Sequence, residues 1–384
     1  MHPAFALAVL KLALKLDVGP EYDTNANRAE VYASALYPNP DHPTASALFR
    51  TDVRLQLAWR DGKNLLTASG LLGAKIFFNS DVFDQDVLAG QIGVDDRYQF
   101  GALQLGLSGD YYDAGQLEAT APAACTHETC DRRRDFRSGQ VLARAVVSGR
   151  RGAFELSAGY RGFQYKSDES YDFHAPQLNA IFGTRFTSGA DDQHEWDLNL
   201  SYHFEQRFFD SPRSFLLSIP SCQFAATFDS LTCLGSGDNR MDSFHEVAIE
   251  GTYVGPVLLQ LGYFVQLTDS NSYQYSLLRQ GITLKFGARL FWGLYATLKA
   301  QLLVTGYLDP ITIGQRIVSG TLVSIDDENR NAVIVDVERA IGKSGVSIDA
   351  RYAVYTNELD STPSTFLRQT IYLGMTYRYS YVRR

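Results

Sequence analysis

The chain has 384 residues, 45% of them hydrophobic and 20% charged, with a formal net charge of −8. No stretch of about 18 consecutive apolar residues occurs, which excludes a membrane-crossing helix, and the acidic balance excludes a nucleic-acid partner held by bulk positive charge. Tyr (22), Phe (23) and Gly (31) are abundant while Pro (12) and Trp (3) are few, a composition that suits extensive antiparallel sheet.

Met1 to Leu10 is apolar, but it has no basic start and Lys11 ends it, so it does not fit a secretory leader. The chain reads as a mature or truncated form that has lost a signal peptide or a preceding domain. The first element is LKLALKLDVGPEYDTN, residues 10–25. Lys11 and Lys15 are four apart, a helical spacing, yet Leu10, Leu12, Leu14, Leu16 and Val18 are two apart. Residues two apart diverge by about 200° around a helix and share one face of a strand. The period predicts a strand with an apolar face and a charged face.

Alternation recurs down the chain. Phe49 to Trp59 alternates with Arg50 to Arg60, and Trp196 to Phe204 with Asp197 to Glu205. Leu294 to Leu302 alternates with Tyr295 to Gln301, and Ile371 to Tyr379 with Thr370 to Arg378. About 16 strands are predicted, centred near residues 16, 54, 71, 92, 107, 142, 160, 180, 201, 248, 262, 282, 299, 335, 350 and 373. Short connections fall at Asp61–Lys63, Gly101, Gly149–Gly152, Ala190–Gln193, Gly255–Pro256, Phe291–Gly293 and Gly342–Gly345. Between them lie longer polar connections at 26–46, 79–86, 114–134, 167–172, 209–239, 306–330 and 358–364, with a tight one near 270.

The predicted strands run roughly 12 to 16 residues, against about 5–6 in soluble sheets and about 9–11 for a tilted strand in a bilayer. A soluble sandwich would use short strands, whereas a soluble barrel would share the alternation. Long strands with short turns on one side predict an all-β fold, a transmembrane antiparallel β-barrel of about 16 strands over a single domain, 1–384. It would carry short periplasmic turns and long extracellular loops. In lipid every backbone N–H and C=O must be paired, so the sheet must close.

On these features the whole chain resembles Gram-negative outer-membrane β-barrels of the porin-like kind. Thr370 to Tyr381 looks like their C-terminal assembly signal, although the chain ends Val382-Arg383-Arg384 rather than on an aromatic. The resemblance implies a bacterial outer-membrane location, contact with lipid and lipopolysaccharide, and insertion by the barrel assembly machinery. Glu21-Tyr22-Asp23-Thr24-Asn25-Ala26-Asn27 is similar to the opening of barrels that follow helical-repeat domains, polysaccharide-export barrels among them. That likeness implies a periplasmic export partner. The same residues also suit a simple exit turn.

The polar face supplies the candidate pore lining. Its cations are Lys15, Arg50, Arg54, Arg97, Arg144, Arg161, Arg185, Arg279, Lys285, Lys299, Arg351 and Arg368, with Arg60, Lys75, Arg207, Arg289 and Arg378 beside them. Its anions are Asp52, Asp95, Asp110, Asp197, Glu205, Glu250 and Asp349, with Asp17, Glu21, Glu155, Glu195, Glu246, Asp336 and Glu338. Tyr112, Tyr295 and Tyr355 could stack on sugar rings. Charges this dense need water or partners, so the wall reads either as a lining for neutral or zwitterionic cargo or as a salt-bridge lattice. The loops lean acidic, as at Asp81, Asp84 and Asp86, which suits solvent or divalent bridging to lipopolysaccharide.

The cysteines form two close pairs, Cys125–Cys130 and Cys222–Cys233, neither with redox or zinc spacing. They are expected to be two short-loop disulfides of an oxidising compartment. Phe215, Leu216, Leu217, Ile219 and Phe224 suggest that 209–239 folds into the pore as a constriction. Asn199, Ser201 and His203 resemble the residue set of an outer-membrane phospholipase, but they lie on the lumen face, and no GxSxG, P-loop or HExxH motif occurs. No enzyme, cofactor or metal site is expected. The reading is a channel for hydrophilic cargo, leaning to polysaccharide export, with a general diffusion porin or a non-conducting anchoring barrel as alternatives.

Overall fold

The structure is a computed structural model that describes residues 9–27, 31–32, 42–116, 136–150, 152–166, 171–188, 193–216, 223–224, 232–272, 275–308, 331–356 and 364–383. Sixteen long strands dominate it. They are β1 (Val9–Asp23), β2 (Ser46–Asp61), β3 (Asn64–Phe77), β4 (Val87–Phe100), β5 (Leu103–Gln116), β6 (Phe136–Ser148), β7 (Gly152–Tyr165) and β8 (Phe173–Ser188). The second half holds β9 (His194–Leu216), β10 (Thr232–Val254), β11 (Val257–Ser270), β12 (Leu277–Arg289), β13 (Leu294–Tyr307), β14 (Asn331–Ala340), β15 (Val346–Thr356) and β16 (Leu367–Arg383).

Each strand pairs antiparallel with the next, and β16 returns to pair with β1, so the sheet is a closed barrel. The closing seam runs from Leu10 opposite Arg383 to Asp23 opposite Thr370. Pairing skips Gly19 and Pro20, where proline has no N–H to give. The same place needs glycine: a Cβ on Gly19 would collide with the Leu373 carbonyl, and one on Gly374 with the Tyr372 hydroxyl. The described short turns, among them 62–63, 101–102, 255–256 and 341–345, share one rim with Val9 and Arg383, and strand ends such as Asp23, Phe77 and Gln116 lie at the other, the loop rim. Residue 209–239 departs from its expected loop. Strand pairing continues to Leu216 opposite Thr232, with register shifts between Phe208 and Ser214. Only 217–222 and 225–231 of that segment lie outside the described residues, so its place relative to the pore does too. Cys125, Cys130 and Cys222 also lie outside them, and with them both cysteine pairings.

The burial is inverted relative to a soluble protein. Ile92 is 64% exposed, Leu107 59% and Ile371 58%, while Lys75 is 0% exposed and Glu205 and Arg368 are 1%. The inversion decides between the soluble and membrane alternatives, since a contiguous apolar exterior must meet something apolar. Alternation in strand faces explains it: the apolar set points out and the charged set points in. The fold is therefore a transmembrane β-barrel of the outer-membrane type, and sixteen strands leave room for an aqueous interior. Tyr98, Phe100, Trp196 and Tyr253 stand on the outer wall near the turn rim, where amphipathic rings suit the interface.

The outer wall supplies a direct check. Ile282, 47% exposed in the middle of β12, faces lipid, and its neighbour Thr283 faces inward. Ile282→Lys is expected to cost about 2 kcal/mol in reversible urea unfolding from lipid vesicles, while Thr283→Lys changes little. Equal effects would mean that the faces are assigned the wrong way round.

Candidate functional site

The candidate site is the inner wall, which divides into two levels. Over much of the turn side the inward side chains are open: the Arg54 side chain is 54% exposed and that of Arg185 64%, and Arg60, Tyr295 and Lys299 are exposed as well, whereas Ser347, Asp349, Thr376 and Asp17 at the closing seam are sealed. Near the loop rim the inward side chains are sealed, from Leu48, Arg50 and Lys75 on β2 and β3 round to Tyr355 and Arg368 on β15 and β16.

The sealed level carries two charged clusters. One is centred on β1. Glu21 lies between Arg50 Nη1 at 3.4 Å and Lys75 Nζ at 3.2 Å, and Arg368 donates Nε to Asp23 at 2.8 Å. The other is centred on β9. Glu205 lies between Arg161 Nη1 at 3.1 Å and Arg207 Nε at 2.7 Å, with His203 Nε2 also at 3.1 Å, and Arg240 donates Nε to Asp242 at 3.0 Å. Strands eight apart in a closed ring of sixteen lie opposite one another, so the clusters face each other across the lumen.

Both clusters share a plan. One glutamate is clamped by two cations, and one of these reaches across an intervening strand. Lys75 on β3 passes β2 to reach β1, and Arg161 on β7 passes β8 to reach β9. The β8 residue directly beside Arg161 is Ala175, fully buried and too small to block it. Aromatic rings support the guanidinium groups. Arg240 lies 4.0 Å from the Phe209 ring centre and 3.5 Å from that of Tyr275, and Arg207 lies 4.3 Å from that of Phe244. Burial of this kind is tolerated only where every charge has a partner. Asp23, Arg240 and Asp242 were not among the lining residues expected from sequence. Counting by twos back from Glu246 reaches Asp242 and Arg240, just beyond the connection expected at 209–239.

The remaining candidates pair locally on the inner face. Lys15 meets Asp17 at 3.6 Å, Arg54 meets Asp52 at 2.8 Å, and Arg97 binds Asp95. Arg144 bridges Asp95 at 3.7 Å and Glu155 at 3.1 Å. Gln140 donates to Asp110 at 2.7 Å, Arg185 to Asp197 at 2.7 Å and Arg351 to Asp336 at 3.1 Å. Asp17 accepts hydrogen bonds from Tyr372 and Thr376, with Asp349 on the other side of Thr376. Glu250 on β10, Arg279 and Lys285 on β12 and Lys299 on β13 share the inward face, with Lys285 directly opposite Lys299 and Arg279 donating to Thr305 at 3.2 Å.

Three expectations change on this geometry. Tyr112 is 3% exposed and packs with Phe136, Phe163, Ala89 and Ala114, and Tyr355 packs with Ala353 and Phe366, so neither is open to a sugar. Of the three tyrosines, Tyr295 alone is exposed. His203 directs one ring nitrogen to Asn179 and the other to Glu205, while Asn199 lies against Gly183, so Asn199, Ser201 and His203 do not assemble around a nucleophile. Tyr22–Asn27 is a strap. Asp23 accepts from the Asn25 amide at 3.0 Å, the Thr24 amide donates to the Gln369 carbonyl, and Asn27 holds His42 and Thr44 at 2.9 Å each.

No family model matches the chain, and no curated protein matches it. Solved structures do. Outer-membrane-expressed OmpT of Vibrio cholerae is 11% identical, with 97% of this chain and 98% of that one covered and a TM-score of 0.42. Salmonella typhi OmpF in complex with daunomycin is 10% identical, with 96% and 97% covered and a TM-score of 0.45. Pseudomonas aeruginosa OccK1 is 11% identical, with 97% and 99% covered and a TM-score of 0.43. Likenesses this distant carry no weight for function; the barrel assignment rests on the closed ladder and inverted burial of the chain itself.

Proposed function

We propose that the barrel is an outer-membrane channel for small hydrophilic solutes. The supporting observation is the inner wall: charged and largely open in its turn-side half, and narrowed in its loop-side half by the two facing charged clusters with aromatic packing between them. Solute entering from either side would exchange water for a wall of paired charges, which suits small neutral or zwitterionic molecules. Polysaccharide export, the narrower expectation, has less to support it. Two of its three stacking tyrosines are sealed, and its motif is accounted for by turn hydrogen bonds. A non-conducting anchoring barrel is the second reading, favoured by the aromatic packing of Tyr112, Phe136 and Phe163 inside the loop-side half.

Single-channel recording in planar bilayers separates them. The purified barrel is expected to give stable ohmic openings. Removing one ion pair as a unit, with Arg240→Ser and Asp242→Ser together, is expected to raise conductance, because both side chains sit in the narrowed level. A folded barrel that never conducts, in either form, would favour the anchoring reading.

The open level should set ion preference instead. Arg60→Glu is expected to shift the reversal potential toward cations under a salt gradient, with stability almost unchanged, since Arg60 is exposed and exposed charges contribute about 0–1 kcal/mol. By contrast, Glu205→Gln leaves Arg161 and Arg207 buried without their carboxylate. A loss of about 3 kcal/mol in unfolding free energy is expected. An unchanged value would mean that water already reaches those guanidinium groups.

A further inference from the structure

The turn rim is not uniform. In the turns after β2, β4 and β6 it carries Gly62 and Lys63, Gly101 and Ala102, and Gly149 and Arg150. In the turns after β10, β12 and β14 it carries Val254 and Pro256, then Leu290, Phe291 and Trp292, then Ile341. These last three turns are neighbours on the ring. Phe291 is 66% exposed and Trp292 78%, their rings 4.7 Å apart and edge to face, and Ile341 is 46% exposed. Trp292 is also the single non-glycine residue with positive φ among the described residues, at 58°. A bulky side chain there is strained where glycine would be relaxed.

Three cations border this arc. Arg289 ends β12, Arg339 lies one residue before the end of β14, and Lys343 sits in the turn beyond it, all exposed. Glu338, next to Arg339 in sequence, is already bound by Arg378. Two occupants compete for such a surface, the lipid leaflet and a protein. Lipid surrounds a barrel on all sides, so anchoring in the leaflet would distribute aromatic turns around the whole rim. Among the described turns the apolar arc is limited to three adjoining ones with cations at its border, which fits a localised protein contact.

We propose that the turns after β10, β12 and β14 form a docking surface for a periplasmic protein that presents an apolar patch bordered by carboxylates. Phe291 and Trp292 form its centre, where buried aromatic groups contribute most to binding. Arg289, Arg339 and Lys343 steer the approach and set its dependence on ionic strength. The proposal does not depend on whether the barrel conducts.

Two measurements test it. Trp59→Phe with Trp196→Phe leaves Trp292 as the single tryptophan. In phosphatidylcholine vesicles its fluorescence is expected to be quenched by aqueous acrylamide and not by lipids brominated along the acyl chain. Quenching by the brominated lipids would overturn the proposal and make the turn a lipid anchor. In native envelopes, benzoylphenylalanine at position 291 is expected to give one discrete protein adduct on illumination. The same group at 63 or 102 should give none, and Arg339→Glu with Lys343→Glu should abolish the adduct at 291. No adduct at 291, adducts at all three positions, or an adduct indifferent to charge reversal would each overturn it.

Discussion

Everything in this barrel follows from the need to pair backbone N–H and C=O groups where water is absent. In lipid an unpaired group costs several kcal/mol, and an open sheet has two edges full of them. The pairing of β16 with β1 removes both edges at once. Closure then assigns every side chain to one of two faces with no freedom to choose. The apolar set must face lipid, and charge at bilayer depth must face the lumen, while outward charges such as Asp96 and Arg339 keep to strand ends near the rims. The exposed Ile92 and the buried Lys75 are two consequences of one constraint.

Charge forced inward must be paired, and the ladder decides how. Arg50 and Lys75 are direct neighbours across β2 and β3 and would repel each other. Glu21, brought alongside by the β1–β2 register, sits between them. Glu205 does the same for Arg161 and Arg207 on the far side. Because neighbouring strands hold the partners in place, little side-chain entropy is lost in bringing them together. Such pairs add modestly to net stability, yet each is costly to break singly. That makes the clusters a frame as well as a narrowing. The bare lumen near the turn rim, where Arg54 and Arg185 are well exposed, has no such burden.

The period of two made the fold legible from sequence. Leu10 to Val18 and their partners settled strand against helix, and strand length with turn spacing settled membrane against soluble sheet. Sequence also separated inward from outward residues, because one face of each strand is charged. It could not tell which inward residues are sealed. Tyr112 and Tyr295 occupy equivalent faces of their strands, but one meets Phe136 from the adjoining strand and the other meets solvent. That difference arises from side chains distant in sequence. β9 and β10 outrun the other strands, so their far ends, 209–216 and 232–239, read as loop. The strap at Tyr22–Asn27 carried a family likeness that its hydrogen bonds explain without one.

Register is what ties these levels together. A slip of one residue between β1 and β16 would turn Asp17, Glu21 and Asp23 toward lipid and Leu16 and Tyr22 toward the lumen. It would also strip Arg50, Lys75 and Arg368 of their carboxylates. Gly19 opposes such a slip, because only a residue without Cβ fits against the Leu373 carbonyl, and the Tyr372 hydroxyl reaches Asp17 across the seam. Moving β1 by one residue would set Val18 or Pro20 against that carbonyl and draw Asp17 away from the Tyr372 hydroxyl. Backbone closure, charge pairing and one aromatic contact therefore select the same register. The seam that completes the barrel is thus also where its polar interior is most tightly specified.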